Sequence, residues 1–393
     1  MSSRDTSHQS QLLSSNGEVV ATTESQDGQV YDWIKPESQV ESGIAQPPPP
    51  LEGKVCQQTT GAHMETGPAP KSELESDETL LGPVGTVPML RKKPALAHFR
   101  FSQTMSKTGP PDSSGRIAVF ASAPEKHWYA SSAQYVRNYG GGGHFSCWNP
   151  IVETANDFSL LQVAIINQNG AYDANIPRID YRQSVEAGWI HYPARFGDNV
   201  PHLFTFYTTV GYERYGDYIQ SWNTDYKGWV QTDRTITPGI TFKPLNVSGG
   251  DQYKLWIEYQ LFDGNWWLWV KDRWIGYYPA SLFSAGHIAT KTLSDHADQI
   301  NFNGEIFDSN EVRGLTTTDM GSGKFPGTGW QHSGFITNMV HQPKPSAESG
   351  AKARYDGSAG LFMDDTARYQ IEAHFDNEDT WASFCWVGGP GSG

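Results

Sequence analysis

The chain has 393 residues, of which 13% are aromatic and 18% charged, and it contains 40 glycines and 24 prolines. This composition favours strands and turns over helices. The formal net charge of −14 makes nucleic acid and anionic membranes poor partners, because the summed field repels phosphate groups. No stretch approaches the ~18 consecutive apolar residues of a membrane-spanning helix. We therefore expect an all-β protein with no nucleic-acid and no membrane partner.

The first 112 residues differ in composition from the rest of the chain. They hold four of the 50 aromatic residues and 12 of the 24 prolines, including the run from Pro47 to Pro50. Such a segment cannot compensate its conformational entropy by burying apolar surface on its own. Residues 1–112 are therefore predicted to be a largely irregular, partly disordered N-terminal segment. Two short islands within it, GQVYDWI (residues 28–34) and ALAHFRFS (residues 95–102), are expected to dock or form a strand.

Short runs rich in β-branched and aromatic residues extend from Arg116 to the end of the chain. Turn sequences such as NQNG, DNVP and FDGN separate these runs. Many short strands at close spacing predict an antiparallel β-sandwich or jelly roll over residues 113–393. The main helical candidate in this region is SLFSAGHIATKTLSDHADQI, residues 281–300.

The cysteine count limits both disulfides and structural zinc. Cys56, Cys147 and Cys385 are too few for a four-cysteine zinc site. At most one disulfide can form, with Cys147 and Cys385 as the pair inside the aromatic-rich region. Buried free thiols are the favoured interpretation of these residues.

Motifs for metal-dependent, serine or nucleotide chemistry are absent from the sequence. HExxH, HxxEH and GxSxG do not occur, and the glycine run from Gly140 to Gly143 is not followed by GK[ST]. His296 and Asp298 come nearest to a metal-ligand pair, but a solvated helix face is the favoured interpretation. We expect no metal and no cofactor.

Two glutamates stand out among the 43 acidic residues. Glu186 (in SVEAGWIHY) and Glu305 (in NFNGEIF) each lie in the middle of a predicted strand, where an unpaired carboxylate is costly unless it lines a groove. The small neighbours Ala187, Gly188 and Gly304 are expected to leave room for a substrate backbone. Two such carboxyls in one sheet can provide an acid and a base in one site, although ordinary surface glutamates are the commoner interpretation.

A cluster of tryptophans supports a different class of function. Tandem indoles can form a platform on which sugars stack, and a packed aromatic core is the favoured interpretation. The cluster consists of Trp256, Trp266, Trp267, Trp269 and Trp274. The alternative function is therefore a carbohydrate- or wall-binding sandwich without catalysis.

Several strings, in order between Phe158 and Pro390, together resemble the neprosin-domain family of glutamic peptidases. SVEAGWIHYPARFGD resembles the family's IEAGW followed by P and YGD, and HLFTFYTT resembles its LFTYWT. NFNGEIF stands where the family has WGGEV, TTTDMGSGKFPGTGW is similar to its T-x-MGSG-x-F pattern, and VGGPGSG matches its closing GGPG. The upstream GQVYDWI resembles part of the family's activation peptide.

The resemblance implies an acid-active glutamic endopeptidase on an antiparallel β-sandwich, made as a zymogen and cleaving polypeptides after proline. Its catalytic pair falls on Glu186 and Glu305, one activating water and the other stabilising the oxyanion, without deciding which is which. Gln162 and Asn303 are candidates for orienting the catalytic groups or contacting substrate. The N-terminal segment is implied to be an intramolecular inhibitor.

Compartment and modification follow only from the resemblance. No secretory signal is recognisable in the first twenty residues, so the sequence alone predicts no compartment. The family resemblance implies secretion, and Asn246 in Asn-Val-Ser is then a glycosylation acceptor.

The sequence also departs from the family pattern. YGDYIQSWN lacks the cysteines of the family's TGCYNLxC segment, and Phe302 with Asn303 replaces the aromatic residue and glycine before its Gly-Glu. These changes affect the predicted subsites and therefore the proline preference. A glycosidase is a third possibility, since paired carboxylates serve that chemistry as well. In the zymogen hypothesis, the linker sequence Pro110-Pro111-Asp112 is a site at which the enzyme can cut itself.

Overall fold

A computed structural model describes residues 17–25, 28–40, 45–50, 82–91, 108–111, 117–119, 127–168, 182–209, 220–225, 227–284, 291–310, 316–345, 351–375 and 381–391. The island at residues 95–102 and Cys56 lie outside the described residues. Within the described ranges, no helix is long and apolar enough to cross a membrane.

The N-terminal segment contributes a small antiparallel sheet whose strands lie in chain order: β1 (Val19–Glu24), β2 (Val30–Ile34) and β3 (Val87–Leu90). Tyr31 and Trp33 of the GQVYDWI island are buried and belong to the main hydrophobic core. Further along, β4 (Thr108–Pro111) pairs with β5 (Ile117–Val119). The predicted boundary between residues 112 and 113 lies between these two strands and stays a prediction.

In the described part of the chain, seven strands form antiparallel sheet I: β6 (His127–Asn138), β8 (Phe158–Asn167), β9 (Gln183–His191), β10 (His202–Thr208), β11 (Gln220–Trp222), β16 (Ala297–Phe307) and β19 (Gly360–Met363). Their order across the sheet is β11-β10-β9-β8-β16-β6-β19. The central strand β8 therefore has β9 on one side and β16 on the other.

Nine further strands of the described residues form antiparallel sheet II: β7 (Gly140–Ser146), β12 (Val230–Gln231), β13 (Lys254–Phe262), β14 (Asn265–Val270), β15 (Arg273–Pro279), β17 (Gly334–His341), β18 (Ala353–Arg354), β20 (Gln370–His374) and β21 (Phe384–Gly388). The path across the sheet is β12-β15-β14-β13-β7-β17-β21-β20, with β18 paired to β17.

The two sheets pack as a sandwich, which confirms the predicted fold class. Successive strand residues face opposite sides, so alternate residues of β8 and β9, such as Leu161 and Val185, enter the core. From sheet II the core receives Tyr259 and Trp266. The intervening residues of each strand face away from the core. We call that side of each sheet its outer face.

Turn and glycine chemistry explain two local features of sheet II. The predicted FDGN turn joins β13 to β14, with Asp263 at φ 47° and Gly264 at φ 69°, as expected for a two-residue hairpin. The run from Gly140 to Gly143 forms the first four residues of β7, between β13 and β17. A Cβ at Gly142 would lie 2.1 Å from the carbonyl oxygen of Ile257, so the run permits close strand packing.

The helix predicted over residues 281–300 is wrong. The described part of that stretch contains a 3₁₀ turn, Ala280–Phe283, and then turns that lead into β16. Ile300 faces the core with the period-two alternation of a strand, and Asp298 lies on a strand instead of a helix. The other short helical elements described are Pro36–Gln39, α1 (Pro193–Phe196) and Pro326–Thr328.

Cys147 and Cys385 are both buried free thiols, which confirms the favoured interpretation. Burial raises the pKa of each thiol to about 12. Since the thiolate is the reactive form, iodoacetamide at about pH 8 is expected to leave both unmodified in the folded protein. Intact mass should show at most one adduct before unfolding, at Cys56, and three after it. Two or more adducts on the folded chain would contradict this prediction.

His144 provides a test of how stability depends on pH. Burial lowers the pKa of His144 well below its ordinary value, and the positive charge of Lys254 lowers it further. Folded His144 stays neutral, whereas the unfolded chain takes up this proton below about pH 6.5. The stability that His144 contributes is therefore present above that pH and is lost as the pH falls towards the folded-state pKa.

His144→Gln is expected to flatten the fall in the free energy of unfolding between about pH 6.5 and about pH 4.5. Buried His191 and His341, whose pKa values are also lowered by burial, should preserve part of the slope. Burial raises the pKa of Asp298 and Asp319, which acts in the opposite direction. Urea unfolding at several pH values measures the slope, and parallel curves for the two chains would contradict the prediction.

Candidate active site

Glu186 and Glu305 share the outer face of sheet I. Glu186 on β9 is paired with Ala164 on β8, whereas Glu305 on β16 is paired with Leu160 on the same β8. Ala164 and Leu160 are four residues apart, so both glutamates lie on the same side of the sheet. Strand β8 lies between the two glutamates, and their partners on β8 are four residues apart along that strand. Both side chains are fully buried.

Between the two glutamates lies a pair of carboxamides. Gln162 on β8 is directly paired with Asn303 on β16. Asn303 is two residues from Glu305 along β16, and Gln162 is two residues along β8 from Ala164, the partner of Glu186. Both residues are fully buried, and neither carboxamide makes a hydrogen bond with a described residue. A buried polar group without a partner costs free energy, on the order of 1–3 kcal/mol. The arrangement therefore has donors and acceptors available for a ligand.

Two side chains of β6 contact Glu305. His127 Nδ1 is 2.6 Å from Glu305 Oε1, and the hydroxyl of Tyr129 donates to the same oxygen at 3.1 Å. The two rings stack, with centroids 6.2 Å apart and planes 17° apart. Their spacing of two residues puts both on one face of β6, opposite Phe307 and Glu305. The Tyr129 hydroxyl, and His127 when Nδ1 carries a proton, donate to Glu305 and so favour its charged carboxylate.

Glu186 has a different set of contacts. The hydroxyl of Ser184, on the same face of β9, donates to Glu186 Oε1 at 2.7 Å. Phe206 lies directly opposite on β10 and belongs to a cluster of buried aromatic residues on this outer face. Among the contacts described, Glu186 Oε1 accepts from a hydroxyl, whereas Glu305 Oε1 also contacts the imidazole of His127.

Tyr259 of sheet II holds the backbone of β9 from the core side. Its hydroxyl, the hydroxyl of Thr205 and the backbone carbonyl oxygen of Glu186 lie within hydrogen-bonding distance of one another, with the two hydroxyls 3.4 and 3.2 Å from the carbonyl oxygen. The two hydroxyl hydrogens serve two of these three contacts. Burial raises the pKa of Tyr259, and the charge of Glu186 raises it further. Tyr259 thus stays a neutral donor and fixes the position of Glu186 along the strand.

Gly304 and Ala187 face the core and do not widen the groove, so the expectation is wrong for these two residues. Gly188 shares the outer face with Glu186, and for it the expectation stays a prediction. Gly304 faces the core, where a Cβ would lie 2.5 Å from the sulfur of Met320. Ala187 also belongs to the core. A Cβ at Gly188 would lie 1.9 Å from the carbonyl oxygen of Leu161. The close approach of neighbouring atoms accounts for glycine at positions 188 and 304.

The remaining predicted sites lie apart from the glutamates. Asn246 is 8% exposed, and its Oδ1 accepts a hydrogen bond from the backbone N–H of Tyr253 at 2.7 Å. His296 contacts Asp295, and Asp298 accepts from the backbone N–H of Gln168. Within the described ranges, no three His, Cys, Asp or Glu side chains are grouped so that they could hold a metal ion.

Sequence reasoning missed His127 and Tyr129. The alternation in HWYASS places both residues on one strand face, but nothing in it indicates which strand lies alongside. The pairing of β6 with β16 joins residues 178 positions apart, His127 and Glu305. Only the folded register reveals these two contacts.

Comparisons with known proteins add to this geometry. A family model described as Neprosin matches residues 155–390, which include Glu186, Glu305, Gln162 and Asn303. One similar solved structure is a scytalido-glutamic peptidase with a peptide-based transition-state analogue, at 7% identity and a TM-score of 0.29. Another is SCP-B, a member of the eqolisin family of peptidases, with the tripeptide Ala-Ile-His, at 8% identity and a TM-score of 0.28. Each match covers 68% of this chain and 100% of the other. At these TM-scores neither structure bears on the site.

Proposed function

Because the chain belongs to the Neprosin family, which supports a glutamic-type peptidase acting on polypeptides, we propose that Glu186 and Glu305 are its catalytic pair. The observation that carries this proposal is the shared outer face of sheet I, where the two buried glutamates flank Gln162 and Asn303. The full proposal is an acid-active endopeptidase, made as a zymogen, that cleaves after proline.

The contacts favour different roles for the two carboxyls. Glu305, which accepts hydrogen bonds from His127 and Tyr129, is the general base that removes a proton from the attacking water. Glu186, whose described side-chain contact is the hydroxyl of Ser184 and not an imidazole, carries a proton and donates a hydrogen bond to the scissile carbonyl oxygen. The tetrahedral intermediate then collapses, and the proton held by Glu305 passes to the leaving amine. Acid favours this scheme because one carboxyl must be protonated.

Gln162 and Asn303 are proposed to hold the substrate backbone. A carboxamide can donate to a peptide carbonyl and accept from a peptide N–H, so each of the two can align an extended chain. Both side chains are buried without a partner among the described residues. A peptide across this face would remove the cost of leaving them unpaired.

The N-terminal segment makes specific contacts that support its role as an intramolecular partner. Gln29 Nε2 is 3.3 Å from His202 Nδ1 on β10 of sheet I. The guanidinium of Arg234 donates to the carbonyl oxygens of Gly82, Pro83 and Thr86 at 3.2–3.3 Å. We expect acid to loosen this association and to permit a cut near Pro110-Pro111-Asp112.

The test is a pH series on the purified full chain from about pH 2.5 to about pH 7. Mass spectrometry should follow chain length together with the cleavage of a proline-containing peptide and of its alanine counterpart. The proposal expects shortening and peptide cleavage in acid only, with cuts after proline. A folded chain that cleaves neither itself nor the peptides at any pH would overturn the proposed activity. Equal cleavage of both peptides would overturn the proline preference alone.

A further inference from the structure

The outer face of sheet II carries a cluster of aromatic residues that the proposed catalysis does not use. We call this cluster the aromatic face and define it as Val230, Trp267, Trp269, Trp274 and Tyr277. The rings of Trp267 and Tyr277 have centroids 4.6 Å apart, and those of Trp269 and Trp274 are 5.0 Å apart. The core lies between this face and sheet I, so the aromatic face and the two glutamates are on opposite outer sides of the sandwich.

Part of the N-terminal segment lies on this face. Val40 and Ala45 pack against the aromatic cluster. The backbone N–H of Gln46 donates to the hydroxyl of Tyr277 at 3.2 Å. In the proline run that follows, Pro49 is buried, and Pro47, Pro48 and Pro50 are exposed. The segment therefore reaches the face at the point where its four consecutive prolines begin.

A pair of hydrogen bonds anchors the same segment at the edge of sheet II. The side-chain amide of Gln39 donates to the backbone carbonyl oxygen of Gln231, and Gln39 Oε1 accepts from the backbone N–H of Gln231, both at 2.8 Å. Gln231 belongs to the edge strand β12. The Gln39 carboxamide thus binds a backbone N–H and carbonyl oxygen of an edge strand, the groups with which a further strand would pair.

The chemistry of the segment matches that of the face. Proline fixes φ near −65° and biases the preceding residue to an extended conformation, so the run from Pro47 to Pro50 favours a polyproline II helix. Such helices bind in grooves lined by aromatic side chains, because they are pre-ordered and lose little entropy.

We propose that the aromatic face is a binding site for polyproline II segments, which this chain's own residues 45–50 occupy. When that segment leaves, the site accepts a proline-rich polypeptide in its place. A polypeptide held there has a raised effective concentration near sheet I, on the other side of the sandwich. The inference concerns binding only and stands whether or not Glu186 and Glu305 cleave peptides.

The experiment compares two full-length chains that both carry Glu305→Gln, so that the probe is not cut. One keeps the proline run, and the other carries Pro47→Ala, Pro48→Ala, Pro49→Ala and Pro50→Ala together. The probe is a fluorescein-labelled peptide with the sequence of residues 44–52, and a second peptide has its four prolines changed to alanine. Fluorescence anisotropy gives the dissociation constants, and circular dichroism confirms that both chains are folded.

We expect the chain without the proline run to bind the proline peptide at least tenfold more tightly than the chain that keeps it. The alanine peptide should bind at least tenfold more weakly than the proline peptide. Adding Tyr277→Phe, which keeps the ring and removes the hydroxyl that contacts Gln46, should weaken binding severalfold without unfolding the chain. Trp274→Leu should weaken it further.

Three results would overturn the proposal. Equal binding by both chains would mean that the cis segment does not occupy the site. Equal binding of the two peptides would mean that proline is not recognised. Binding of a soluble β-glucan, with no binding of the proline peptide, would assign the aromatic face to carbohydrate. None of the three binding measurements depends on peptidase activity, so a failure of the binding proposal is distinct from a failure of the proposed catalysis.

Discussion

Glu305→Gln is expected to lower kcat/KM for a cleavable peptide by at least ~10³-fold, about 4 kcal/mol of transition-state stabilisation. The amide has the size of the carboxyl and can still accept hydrogen bonds from His127 and Tyr129. It cannot take a proton from water, so the base is lost while the packing remains. The free energy of unfolding should change little by comparison, as measured by urea unfolding at the assay pH.

Glu186→Gln should have a smaller effect and a different signature. A carboxamide can still donate a hydrogen bond to the scissile carbonyl, so a loss of roughly 10–100-fold is expected. It also needs no proton, so activity should persist to higher pH than in the unaltered chain. Equal losses in both variants, with unchanged pH profiles, would contradict the assignment of Glu305 as base and Glu186 as acid.

The matched control is Glu372→Gln. Glu372 is an exposed strand glutamate on β20 of sheet II, where its carboxylate contacts His374. The same chemical change there should leave kcat/KM within about twofold. A further control is digestion of the Glu305→Gln chain by the unaltered enzyme in trans. If the unaltered enzyme cuts the Glu305→Gln chain at the bond where it cuts itself, the variant is an intact substrate that has lost only its own catalysis.

The fold was largely predictable because its signals are local. Strand alternation, the Asp263–Gly264 turn and the buried thiols each depend on a few neighbouring residues. The mid-strand placement of Glu186 and Glu305 was predictable for the same reason. Their position on one face of one sheet follows from pairing through β8, which the sequence does not specify.

The features that sequence reasoning missed depend on non-local register or on packing from distant segments. His127 reaches Glu305 only because β6 lies beside β16. The sequence suggests that Gly304 is small because it lies beside a substrate. In the structure it is small because Met320 lies against it on the core side. The stretch 281–300 resembles a helix until Ile300 is known to face the core as part of a strand. In each case the deciding neighbour is remote in sequence.

Asp157→Asn is expected to destabilise the fold by about 3–5 kcal/mol, because a buried carboxylate here accepts several hydrogen bonds. Asp157 is fully buried just before β8. Its Oδ2 accepts from the hydroxyls of Thr316 and Thr318 at 3.1 and 2.7 Å. Its Oδ1 accepts from the backbone N–H of Ser309 at 3.0 Å and from the hydroxyls of Thr154 and Ser309. An amide nitrogen in place of either oxygen would face donors instead of acceptors.

This network joins the start of β8 to the end of β16 and so fixes the register that places Gln162 beside Asn303. At ~2–4 °C per kcal/mol for a domain of this size, the melting temperature should fall by roughly 10 °C. Asp272→Asn, at an exposed carboxylate that pairs with neighbouring Arg273, should shift it by less than about 2 °C. If β8 slips relative to β16, peptide cleavage should fall at temperatures where Asp157→Asn is still folded, whereas a purely global effect would leave kcat unchanged there. Equal melting temperatures for Asp157→Asn and Asp272→Asn would show that the buried carboxylate does not hold the two strands together.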